Sequence, residues 1–115
     1  MQEIKGEDYN VKYDPDSTTF YFQGELSLGG PSEYAPIAEL LNTTLQEEPS
    51  VITLNLEKLE FLNSSGISLL SKFVINARKK KTTHIMVKGS KGIPWQEKSL
   101  KNLTKLLPSL QLEID

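Results

Sequence analysis

The stretch LEFLNSSGISLL, residues 59–70, decides how the fold is read. Asn63, Ser64, Ser65 and Gly66 interrupt a dense run of leucine, isoleucine and phenylalanine. On the N-terminal side, VITLNL (residues 51–56) places Ile52, Leu54 and Leu56 on one face and Val51, Thr53 and Asn55 on the other. That period of two, with β-branched residues at its start, predicts an inner strand. On the C-terminal side, from Ser65 to about Lys80, Ile67, Leu70, Val74 and Ala77 recur at helical spacing, and Leu69 and Phe73 widen the stripe. The four small residues therefore lie where a strand has ended and a helix begins. Asn or Ser there can cap the free amides of the first turn, typically worth about 1 kcal/mol. Gly66 permits another backbone to approach closely.

Working outward, YNVKY (residues 9–13) alternates apolar and polar, DPDS supplies a turn, and TTFYFQGEL (residues 18–26) is rich in β-branched and aromatic residues, which predicts a β-hairpin. Residues 1–8 are expected to be a flexible N-terminal segment. After SLGGPS, Tyr34, Ile37, Leu40, Leu41 and Leu45 predict an amphipathic helix over about 32–47, with Pro36 tolerated only in its first turn. HIMVK reads as a strand, GSKGIP as a turn, WQEKSLKNLTKLL as a helix stopped by Pro108, and LQLEI as a possible edge strand. Strands separated by helices of this length require crossover connections. The expected fold is α/β: one domain over residues 1–115, a mixed sheet with an N-terminal hairpin and parallel inner strands, and about three to four helices.

With 115 residues, of which 37% are hydrophobic and 24% charged, the chain is long enough to bury its own core. It has no cysteine, so disulfides and thiolate ligands are excluded, and its one histidine cannot build a metal site alone. A formal charge of −2 argues against a general nucleic-acid surface. MQEIKGEDYN lacks the blocks of a signal peptide, and no run approaches the roughly 20 apolar residues of a membrane span. The expectation is a soluble cytoplasmic domain with no cofactor, metal, nucleic acid or direct membrane insertion.

The remaining candidates favour structural readings. His84 starts a strand after a basic helix end, and no nucleophile-elbow motif surrounds either serine. The cations of ARKKK, residues 77–81, suit a solvated helix C-terminus. Trp95 at the start of a helix reads as core closure, and GSKG has neither the length nor the terminal residues of a P-loop.

The run VITLNLEKLEFLNSSGISLLSKFVINARKK resembles the signature segment of the STAS domain, in particular that of bacterial anti-sigma-factor antagonists, in which an Asp-Ser-Ser/Thr-Gly turn precedes a helix. FQGELS is similar to the family's Gly-Glu-Leu-Asp element. The resemblance implies a non-enzymatic, partner-switching phosphoprotein of transcription regulation and signal transduction. Its partners would be a serine kinase that is also an anti-sigma factor and a cognate phosphatase. By the same resemblance, Ser64 is the phosphorylated position, Ser65 is the runner-up, and Ser27, Asn63, Ser64, Ser65, Gly66 and Ser68 form the partner-binding face. A phosphate at a helix N-terminus would be tolerated by the free amides and the dipole. Asn63 and Ser27 each stand where the family usually carries aspartate. Those two changes favour an alternative, a constitutive assembly subunit of a lipid-transport or other multiprotein complex, without phosphorylation.

Overall fold

The hairpin comes first because its turn is built from side chains. Strands β2 (Tyr9–Asp14) and β3 (Thr19–Leu26) pair antiparallel, and Asp14 closes the connection by accepting from the Asp16 amide and the Ser17 hydroxyl. Along β2, Val11 and Tyr13 are buried while Lys12 is half-buried, the alternation of a sheet with one packed face. This is seen in a computed structural model, which describes residues 2–115.

Gln2–Lys5, inside the segment expected to be flexible, forms strand β1, pairing antiparallel with β2 from Gln2 opposite Tyr13 to Lys5 opposite Asn10. Its four residues bury little, and Ile4 alone is half-buried, so the apolar signal is too weak to be read from sequence. The chain continues through α1 (Pro31–Gln46), β4 (Val51–Leu62), α2 (Ser64–Lys79), β5 (His84–Gly89), α3 (Gln96–Leu106) and β6 (Gln111–Ile114). The six strands lie in chain order, β1 to β6; β3, β4, β5 and β6 run parallel, each joined to the next by a helix. The helices number three, and α2 packs between α1 and α3 in one layer. Inward-facing Phe20, Phe22, Leu54, Leu56, Ile85 and Val87 meet that layer, each such side chain stabilising the fold by roughly 1.5–3 kcal/mol.

Strand β4 is twice as long as its alternating stretch suggests. Its pairing with β3 steps from Tyr21 opposite Asn55 to Gln23 opposite Lys58, then from Gly24 opposite Leu59 to Glu25 opposite Phe61. Each step inserts one extra β4 residue, a β-bulge, so the buried side chains run Leu54, Leu56, Leu59, Leu62 and the period of two is broken. The strand thereby delivers the chain directly into α2. Pro36 falls in the second turn of α1 rather than the first; it is exposed there, and the helix forgoes the hydrogen bond its amide would have made.

Candidate functional site

Asn63 is the N-cap of α2. Its Oδ1 accepts from the Gly66 amide at 2.9 Å and from the Tyr34 hydroxyl at 2.7 Å, while its Nδ2 donates to the Leu28 carbonyl at 2.8 Å. The Leu28 amide donates to the Tyr34 oxygen at 3.4 Å, and the Asn63 amide donates to the Leu26 carbonyl at 3.0 Å. One side chain thus ties together the start of α2, the first turns of α1 and the loop leaving β3. The donor to Leu28 gives asparagine a physical reason. An aspartate would point a carboxylate oxygen at that carbonyl and lose the bond. Tyr34 is 2% exposed, and burial pushes its hydroxyl pKa above the ordinary 10.0, with the Leu28 amide pulling the other way and Tyr9 adding a small push upward.

Gly66 leaves room for this arrangement: a Cβ there would meet the Leu62 side chain and lie 2.8 Å from the Tyr34 hydroxyl. Of the residues expected at the binding face, Gly66 is buried and Asn63 half-buried, so both shape the turn from within. Ser64, the first residue of α2, is exposed, as are Ser68 and Ser27, whereas Ser65 is half-buried. Ser65 and Ser68 line a groove of about 270 Å³ between α1 and α2 with Tyr34, Leu69 and Lys72. Ser27 opens instead onto a separate concavity with Glu7, Asp8 and Glu25. The six residues therefore divide between an inner lock and two outer surfaces.

His84 pairs with Val51 at the start of parallel strands β4 and β5, whereas Ser64 follows the far end of β4, so the two cannot act together. Trp95 and Gln96 hold a further structure that sequence reasoning did not find. Beyond Asn55, β4 has no β5 neighbour, and the Gln96 side chain takes its place, donating to the Leu56 carbonyl at 2.6 Å and the Leu59 carbonyl at 3.0 Å and accepting from the Ser90 amide at 2.7 Å. The indole N–H of Trp95 donates to the Glu60 carbonyl at 3.0 Å. Nothing in a polar residue on the first turn of a helix distinguishes such a plug from a solvated side chain. Phe61, near this end of β4, is exposed.

A family model described as STAS domain matches residues 9–96. No curated protein matches the sequence. Among solved structures, the chain is similar over 100% of its length to three from Pseudomonas aeruginosa. One is the complex of the diguanylate cyclase SiaD with its activator SiaC (TM-score 0.75, 10% identity, 100% of that chain covered). The others are SiaC (0.72, 13%, 98%) and apo-SiaC (0.73, 14%, 99%). At these identities the likeness is one of fold. It corrects the expected partners all the same: the relatives belong with a diguanylate cyclase, not with an anti-sigma-factor kinase and its phosphatase. The anti-sigma-factor and phosphoprotein readings fall with that pair. The turn caps a helix by local chemistry, which does not encode the protein it meets. Among the described residues, no helix is long and apolar enough to cross a membrane.

Proposed function

The chain belongs to the STAS domain family, and from that premise we propose that it is a regulatory subunit that binds a diguanylate cyclase in the cytoplasm and adjusts its output. It is itself non-catalytic. The observation that carries the proposal is end-to-end similarity to SiaC, one structure of which is a complex with the cyclase it activates. The face offered to the cyclase is the one around the α2 N-terminus, with Ser64 and Ser68 outermost, the α1–α2 groove with Ser65 beside them, and Asn63 and Gly66 shaping the turn from within; Ser27 adds a second, separate patch.

The test is mixing the purified chain with each diguanylate cyclase of its own organism, followed by calorimetry and measurement of cyclic dinucleotide production. One cyclase is expected to bind and to change its rate. Ser64→Glu puts a charge at the centre of this face, and its binding is expected to weaken at least tenfold, as desolvating an unpaired charge requires. If no cyclase binds, or if Ser64→Glu binds as the unaltered chain does, the proposal or its placement of the face is wrong, respectively.

A further inference from the structure

The seam between α1 and α2 stands open along one side. The groove of about 270 Å³ that Ser65 and Ser68 line continues into a second concavity of about 100 Å³, and the two share Ala38, Leu69 and Lys72. Packed helices ordinarily close such a seam by interdigitating their side chains. Here Ala38 from one helix and Ser65 and Ser68 from the other are too short to meet. The surface they leave uncovered is apolar: Ala38 and Leu69 are half-buried and Pro31 is exposed, although all three face the seam. An apolar groove with a few polar groups at its rim is the usual form of a recognition site.

The groove also sets a condition on charge. Lys72 borders both concavities, and every other residue lining them is uncharged. It is exposed and has no carboxylate partner, the one ion pair among the described residues being Lys101 with Glu97 on α3. A solvated lysine costs the free chain nothing. A partner that buries the apolar floor, however, must also cover the aliphatic stem of Lys72, which forms part of the wall, and strip water from its ammonium. An unpaired charge is strongly unfavourable in such an interface, so the partner that fits brings a carboxylate together with its apolar side chain.

We infer that the α1–α2 groove receives a segment of the cyclase carrying a large apolar side chain, seated over Ala38 and Leu69, and an aspartate or glutamate paired with the Lys72 ammonium. This deepens the cyclase reading and rests on it. Lys72 then governs which partners are accepted, and the open seam governs how tightly they are held.

The test has two arms. In the first, a random peptide library displayed on phage is selected against the full chain and, separately, against Lys72→Glu; because Lys72 is exposed, its variants keep the fold. Peptides selected on the unaltered chain are expected to share an apolar residue with an aspartate or glutamate close by, and Lys72→Glu is expected to select lysine or arginine in place of the acid. Ala38→Leu, which fills the groove, should abolish capture while the melting temperature stays unchanged or rises. No enriched sequence, a consensus without the acid, the same consensus on Lys72→Glu, or capture that survives Ala38→Leu would overturn the inference. In the second arm, calorimetry with the bound cyclase should show affinity weakened at least tenfold by Lys72→Met, which keeps the stem and removes the charge. If the cyclase binds and Lys72→Met leaves its affinity unchanged, the groove inference falls and the cyclase reading stands; if the peptides behave as expected and no cyclase binds, the cyclase reading falls and the chemistry of the groove stands.

Discussion

Asn63 shows how much one atom can decide. Replacing its Nδ2 by oxygen, as in Asn63→Asp, removes the donor to Leu28 and sets a carboxylate against that carbonyl, while the charge gains about 0.3–1 kcal/mol from the helix dipole. Loss of the bond and its desolvated acceptor is worth about 1–3 kcal/mol. The expected net loss is about 1–2 kcal/mol, read from urea denaturation at neutral pH. Tyr34 carries a pH signature of its own. Its folded pKa is raised above the unfolded 10.0, so the neutral form is the one the fold favours. The contribution is complete below pH 10 and is lost as pH rises through the folded value. Tyr34→Phe should lower stability at pH 7 by about 1–2 kcal/mol through its lost hydrogen bonds. It should also make the decline between pH 10 and 12 shallower than in the unaltered chain, measured by denaturation at stepped pH. The cap at Asn63 was legible in the sequence, since a small polar residue before a helical stripe has few other uses. Its link to Leu28 and Tyr34 was not, because these lie 35 and 29 residues away and only the fold brings them together.

At the scale of elements, what could be read followed periodicity and what could not followed its interruption. The helices α1, α2 and α3 and the strands β2, β3 and β5 each repeat their apolar residues at a single period. Strand β4 does so for half its length, and its two bulges then shift the inward side chains by one residue apiece. The bulges disrupt the ladder with β3, while on the opposite edge of β4, beyond the end of β5, Gln96 supplies the missing partner. Gln96→Ala would strand the Leu56 carbonyl and the Ser90 amide, and leave the Leu59 carbonyl with the Trp95 indole alone, in an interior where Gln96 itself is fully buried. A loss of about 2–4 kcal/mol is expected from denaturation. Trp95→Phe keeps an aromatic side chain but removes the indole N–H shared by the Glu60 and Leu59 carbonyls, so a loss of about 1 kcal/mol is expected.

Over the whole molecule, the helices occupy one side of the sheet and the proposed binding face occupies one of its ends, at the turn after β4. The STAS-like architecture could be inferred from the sequence; the kind of partner could not, because exposed serines and a groove record no identity. Strand β1 makes a separate test of how much each edge contributes. It pairs only with β2 and half-buries only Ile4, so removal of residues 1–5 should leave the chain folded and cost about 1 kcal/mol, a drop in melting temperature of roughly 3–6 °C by calorimetry.

The strand order carries a consequence for how the molecule comes into being. Because spatial order repeats chain order, each strand finds its neighbour already made, and no ladder pair spans more than the 36 residues from Leu26 to Leu62. Loops of that length close at modest entropic cost. The sheet can therefore be laid down one strand at a time from the N-terminus as the ribosome releases it, each helix folding over the strand before it while the next is still being synthesised.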